Sequence, residues 1–168
     1  MFGLKMPDLV CLNDYSGDPV AYIDAVYKLF KKDFLDDGIQ YNGLVVDIIK
    51  GPYFQEKEFT FWHIITEGKK EDERTPDMER CKRICWPKVV VENSGHRNIK
   101  VWEVIRRKKN RGKQRRICIC YGNWEYLVIL NIRSNKYLFC TAYPVFNSHT
   151  KRKSKTEYLE SEKTKNAP

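Results

Sequence analysis

"IKVWEVIRRKKNRGKQRRICICYGNWEYLVILNIRSNKYLFCTAY" (residues 99–143) holds four apolar runs separated by short polar breaks. The runs 99–107, 115–121, 124–132 and 136–143 are rich in β-branched and aromatic residues, which suit a pleated, half-buried surface. The breaks "KKNRGKQ", "GN" and "RSN" are short enough only for reversals between neighbouring strands. The stretch therefore predicts a four-stranded antiparallel meander. Period two places Cys118 and Cys120 on one face of their strand. It also places Tyr137, Phe139, Thr141 and Tyr143 together on one face of the last.

Upstream, the period lengthens. "GDPVAYIDAVYKLFKKDFLDDG" (17–38) predicts a helix with Asp18 as cap and Pro19 at the first position. Val20, Ile23, Tyr27, Phe30 and Phe34 form its apolar stripe, and Gly38 follows its end. "LVVDIIK" (44–50) and "FTFWHIIT" (59–66) read as strands on either side of a Gly51-Pro52 turn signal. "TPDMERCKRICW" (75–86) predicts a second helix, capped by Thr75 with Pro76 first. Pro87 then kinks or ends it, with "KVVVEN" as a continuation of a turn or two. The fold class is thus α+β, with N-terminal helices packed on the four-stranded meander. One domain is expected over 1–150, with its core at about 44–146, and 151–168 as a polar basic tail forming a short helix or a frayed end.

The chain of 168 residues is 42% hydrophobic and 13% aromatic, which excludes disorder as the default. No apolar run is long enough for a membrane span, and the first residues lack a signal-peptide pattern, so a cytoplasmic location without membrane contact is expected. The six cysteines read as reduced thiols; a zinc site from Cys81, Cys85, Cys118 and Cys120 would lack the C-x₂-C spacing of common zinc modules. No carboxylate pair stands out as a holder of catalytic magnesium. No metal or other cofactor is expected.

A formal net charge of +9 points to a polyanionic partner, nucleic acid before membrane, because each neutralised phosphate releases counterions. The alternative is a charged surface that serves only solubility. Eight cations crowd residues 106–116, among them Arg106, Arg111, Arg115 and Arg116. They read as a backbone-binding loop if RNA is the partner.

His63 is one of three histidines and stands within an apolar run, just ahead of Arg74, Arg80 and Arg83. As a strand, 59–66 would put Phe59, Phe61, His63 and Ile65 on one face, and a satisfied core imidazole is the plain reading. An imidazole titrating near neutrality beside guanidinium groups is also what metal-free phosphodiester cleavage requires. There a base takes the proton of a ribose 2′-hydroxyl, which attacks the adjacent phosphorus. An acid protonates the departing 5′-oxygen, and cations hold the phosphoryl oxygens. Arg74, Arg80 and Arg83 are candidate phosphate ligands, since guanidinium binds phosphate through two parallel hydrogen bonds. They read otherwise as a solvated helix face, with Arg74 in a mobile loop. Thr141 and Tyr143 add a hydroxyl and a phenol.

"FWHIIT", "ERTPDMERCKRICW" and "YLFCTAYPV" together resemble the phage and prophage nuclease-like proteins of the barnase–EndoU–colicin–RelE ribonuclease fold, over about residues 54–158. The resemblance implies a helix-plus-four-stranded-sheet domain and metal-independent RNA cleavage, often in toxins or phage–host conflict. It implies His63 as general base or acid, Arg74 and Arg80 as phosphate ligands, and Thr141 and Tyr143 as strand-end site residues. Members also use a lysine; Lys88 follows Trp86-Pro87 here, in competition with others. The expectation is an endoribonuclease acting on RNA (tRNA or mRNA), with an acidic inhibitor or antitoxin as a second partner. The alternative is an RNA-binding module without catalysis, using the basic hairpin and tail.

Overall fold

The computed structural model describes residues 3–167. Helix α1 (Pro19–Lys31) starts where Asp18 turns its carboxylate back to accept hydrogen bonds from the Val20 and Ala21 amides, at 3.0 and 3.3 Å. Tyr22, Val26 and Phe30 bury its apolar stripe, and a π turn at Lys32–Asp36 carries Phe34 onto Phe30. The run expected as a strand at 44–50 is extended only at its start. Strands β1 (Gln40–Tyr41) and β2 (Leu44–Val45) close a small hairpin. Its turn is Asn42-Gly43, both at positive φ, the geometry of a two-residue hairpin. Beyond it Asp47 makes an isolated parallel bridge to the last strand of the meander.

The strand expected at 59–66 is a helix, α2 (Phe59–Ile65). Its apolar run fits either period, and tertiary packing selects the helix. Thr60, Phe61, Ile64 and Ile65 are buried together, the spacing of one helical face. Phe61 packs on Tyr27 and Phe30 of α1 with centroids 5.1 and 5.3 Å apart. Carbonyls of Ile49 and Lys50 receive the first amides of α2. The Thr60 hydroxyl both accepts from the Ile49 amide and donates to the Ile49 carbonyl. Two of the orphan donors of the helix start are thereby met.

Thr75 and Pro76 do not begin the second helix either. They form β4 (Thr75–Pro76), paired with β3 (Thr66–Glu67), and Asp77 caps α3 (Met78–Lys82) through the Arg80 amide. Aspartate is as good a cap as threonine, and proline at the edge of a two-residue ladder forfeits no needed donor. Helix α4 (Trp86–Glu92) follows, with Pro87 in its first turn.

The meander matches its expected form: β5 (Ile99–Lys108), β6 (Gly112–Tyr121), β7 (Tyr126–Arg133) and β8 (Lys136–Pro144), antiparallel in the order β5-β6-β7-β8. Val101, Ile119, Val128 and Ala142 stand abreast on the face that packs against α1–α4. Trp102, Cys118, Ile129 and Thr141 stand abreast on the other. One expectation for β8 fails. A bulge opposite the Ile129–Leu130 step leaves Cys140 unpaired, so the alternation resets after Phe139. Phe139 and Ala142 face α1–α4, whereas Thr141 and Tyr143 face away.

That second face is covered in part by α5 (Ser148–Lys165), an eighteen-residue helix where a short helix or frayed tail was expected. Its anchor is Tyr158, set edge-on against Trp102 and Trp124 at 6.1 and 5.7 Å. Glu157 accepts from the Trp102 indole and pairs with Arg106. Cys118 and Cys120 lie beneath this layer, where burial pushes both thiols up to about 12. Cys81 and Cys85 belong to the opposite core. The sheet therefore separates the two cysteine pairs, and one zinc ion cannot bridge them. Among the described residues no helix is long and apolar enough to cross a membrane.

Candidate functional site

In α2, residues four apart share a face, so Phe59 lies one turn before His63 and their rings stack at 5.7 Å. The imidazole side chain is 25% exposed, and its Nδ1 sits 3.5 Å from a carboxylate oxygen of Glu71, close but not aligned as a hydrogen bond. Nδ1 is buried, which leaves Nε2 as the nitrogen that reaches solvent. Burial lowers the His63 pKa below its ordinary 6.5, and the nearby Arg74 charge adds to this while Glu71 opposes it. The net shift favours the neutral imidazole over the imidazolium.

Arg74 is bound rather than mobile. Its Nε donates to the Thr66 hydroxyl at 3.0 Å and Nη1 to the Gly68 carbonyl at 3.0 Å. Nη2 donates to the His63 carbonyl at 2.9 Å and to the Thr66 carbonyl. Four of the five guanidinium N–H groups are committed to the protein. Arg74 therefore caps the carbonyl end of α2, where a cation is favoured. With its fork taken up in this way, it positions the residues around His63 and has no bidentate face left for a phosphate.

Arg80 is the open guanidinium. Its backbone is fixed by the Asp77 cap, and its Cζ lies 5.1 Å from the Tyr143 ring centroid. Among the described residues its side chain makes no ion pair. Arg80 and Tyr143 line a cavity of about 220 Å³ together with Glu67, Asp77 and Phe146. The Arg80 charge acts on both His63 and Tyr143 and favours their less positive forms. Burial, the larger effect, raises the Tyr143 phenol. Arg80 and Tyr143 thus meet at the end of β8, with His63 near enough for the Arg80 charge to act on its imidazole. Thr141 shares the outer face of Tyr143, beside Ile129, and does not line the Arg80–Tyr143 cavity.

The other candidates fall into two groups. Arg83 is held by Glu79 and lies over Trp86, and Lys88 reaches the Gly38 carbonyl and Glu92. Both are tied into the fold by these contacts, and neither lines the Arg80–Tyr143 cavity. Arg106, Arg111, Arg115 and Arg116 belong to a projecting ribbon. β7 pairs with β6 only from Arg116 onward, so the outer parts of β5 and β6 run on as two strands alone. Arg115 pairs with Glu103, Arg106 with Glu157, and Arg116 binds Gln114. Arg111 sits in the exposed turn. Gly112 precedes Cys120, the β6 residue in register with Tyr143, by eight positions. The ribbon tip thus lies about 27 Å along the sheet from Tyr143 and at the opposite edge.

Sequence reading missed Glu71, the Arg80–Tyr143 stack and a large aromatic cleft beside α2. Only the Phe59–His63 spacing, read at the helical period, was there to find. Compared with known proteins, the chain matches no family model, no curated protein and no solved structure.

Proposed function

We propose that the protein is a metal-independent endoribonuclease that cleaves RNA through its own 2′-hydroxyl, leaving a 2′,3′-cyclic phosphate. The observation that carries this reading is the Arg80–Tyr143 contact at the end of β8, with the His63 imidazole within reach of the Arg80 charge. His63 presents a neutral Nε2, suited to removing the 2′-hydroxyl proton. Glu71 behind Nδ1 stabilises the imidazolium that forms. Arg80, with its fork uncommitted, holds the phosphoryl oxygens as charge develops there. Tyr143 carries the Arg80 guanidinium over its ring, and its phenol is assigned to protonate the leaving 5′-oxygen. Arg74 fixes the end of α2 and contributes no direct contact to phosphate.

This chemistry is RNA-specific, because DNA lacks the attacking hydroxyl. It accords with the barnase–EndoU–colicin–RelE-type motifs and with a toxin or phage-type role on tRNA or mRNA inside a cell. An acidic inhibitor would complement the +9 charge. Incubation of pure protein with tRNA and total RNA in EDTA tests the reading. Cleavage that disappears in His63→Ala and Arg80→Ala is expected; absence of cleavage, or cleavage unchanged in His63→Ala, overturns it.

A second reading, RNA binding without catalysis, is favoured by one feature. The projecting ribbon concentrates cations on two strands that no third strand covers. Under that reading, binding depends on the ribbon and is indifferent to His63.

A further inference from the structure

We propose that the aromatic cleft beside α2 is a binding subsite for an unpaired nucleobase, so that the substrate is single-stranded at this point. The proposal rests on the RNA reading above for its ligand and adds to it a second site. The cleft is about 800 Å³ and lies between the start of α1, the loop after Gly51-Pro52, and α2. Tyr53, Phe54, Phe59 and Trp62 furnish its walls, with Val20 at the mouth. It adjoins the proposed catalytic group directly, since Phe59 is the ring on which His63 stacks.

Tyr53 and Phe54 are 58% and 60% exposed, unusual for two adjacent rings in a chain with so large a core. They are held out by construction. Phe54 and Lys57 exchange backbone hydrogen bonds around Gln55 and Glu56, both in the left-handed region with φ of 48° and 59°. Non-glycine residues adopt that geometry at a cost and persist in it where the surroundings impose it. The Trp62 indole donates to the Phe54 carbonyl at 2.8 Å, and the two rings meet edge-on at 5.4 Å. A pre-formed aromatic slot results, with no ordering left to do on binding.

Charge at the mouth selects the base rather than the phosphate. Asp24 is engaged by Lys57, Glu71 stands beside His63 and Arg74, whose fork is taken up by backbone carbonyls, and Asp72 has no ion-pair partner among the described residues. A phosphate placed there meets carboxylates. A nucleobase is neutral and planar, offers amine donors to Asp72, and stacks on rings of any orientation. Bases in a duplex are already stacked and cannot enter such a slot, so the site distinguishes unpaired from paired RNA.

The test uses a short 2′-O-methylated single strand, which 2′-hydroxyl attack cannot cleave, and the blunt duplex of the same sequence. Affinities are measured by fluorescence anisotropy for wild type, Tyr53→Ala, Phe54→Ala and Tyr53→Phe. Each alanine is expected to weaken single-strand binding about tenfold, the loss of one base stack, and to leave duplex binding unchanged. Tyr53→Phe keeps wild-type affinity. Unchanged single-strand binding in both alanine variants overturns the proposal, as does an equal loss on the duplex or no single-strand binding by wild type. Because the probe is uncleavable, the expected pattern in a protein that fails the EDTA assay retains the cleft and removes only the ribonuclease reading.

Discussion

Arg74→Ala separates a structural clamp from a phosphate ligand. The guanidinium side chain is 12% exposed and donates to three carbonyls and one hydroxyl at the end of α2. A hydrogen bond from a charged donor is worth about 1.5–3 kcal/mol, but these four share one cation and water can replace some of them in the variant. A net loss of about 3 kcal/mol follows, which in a domain of this size lowers Tm by roughly 6–12 °C. Arg74→Lys recovers less than half, because an ammonium cannot reach carbonyls in several directions through a planar fork. Urea and thermal unfolding of the three proteins, followed by circular dichroism, give the comparison. The reasoning is refuted if Arg74→Ala unfolds within about 0.5 kcal/mol of wild type, the size of an ordinary surface change, while RNA affinity falls.

Replacing Gln55-Glu56 by Asn-Gly supplies residues that accept positive φ, and it raises stability by about 1 kcal/mol in the same unfolding assay; a loss there would mean the turn is not strained. The folded-state pKa of His63 lies below its ordinary 6.5, so between those two values the unfolded chain binds the extra proton. The His63 contribution is therefore fully present above about 6.5 and is lost as pH falls toward the folded pKa. NMR titration of the imidazole checks the direction, and a value above 6.5 contradicts it. Changing Arg107, Lys109, Arg111 and Lys113 of the ribbon to Gln is expected to weaken RNA binding and flatten the log–log salt dependence by up to about 3. An unchanged slope removes the ribbon from the RNA interface.

The meander was legible because alternation and short reversals are local signals, and residues 99–143 carry both. The first helix was legible for the same reason, with Asp18 and Pro19 marking its start. "FTFWHIIT" was not, since β-branched and aromatic residues favour a strand locally while Tyr27 and Phe30, some thirty residues away, receive Phe61 only from a helix. The role of Arg74 was hidden because its partners are backbone carbonyls, which no side-chain pattern encodes. The bulge at Cys140 has no glycine to announce it, yet it turns Thr141 and Tyr143 together onto the face opposite Phe139. The pairing of Arg80 with Tyr143 joins residues sixty-three apart, and the aromatic cleft depends on the same kind of distant closure.

The most direct measurement concerns the ends of the cleaved RNA. A defined oligonucleotide is incubated in EDTA with wild type, His63→Ala and Arg80→Ala, and the fragments are weighed by mass spectrometry. The account predicts 2′,3′-cyclic phosphate and 5′-hydroxyl ends from wild type, their loss in both variants, and full resistance when the ribose at the cut carries no 2′-hydroxyl. Fragments ending in 5′-phosphate, or cyclic ends produced equally by His63→Ala, contradict it.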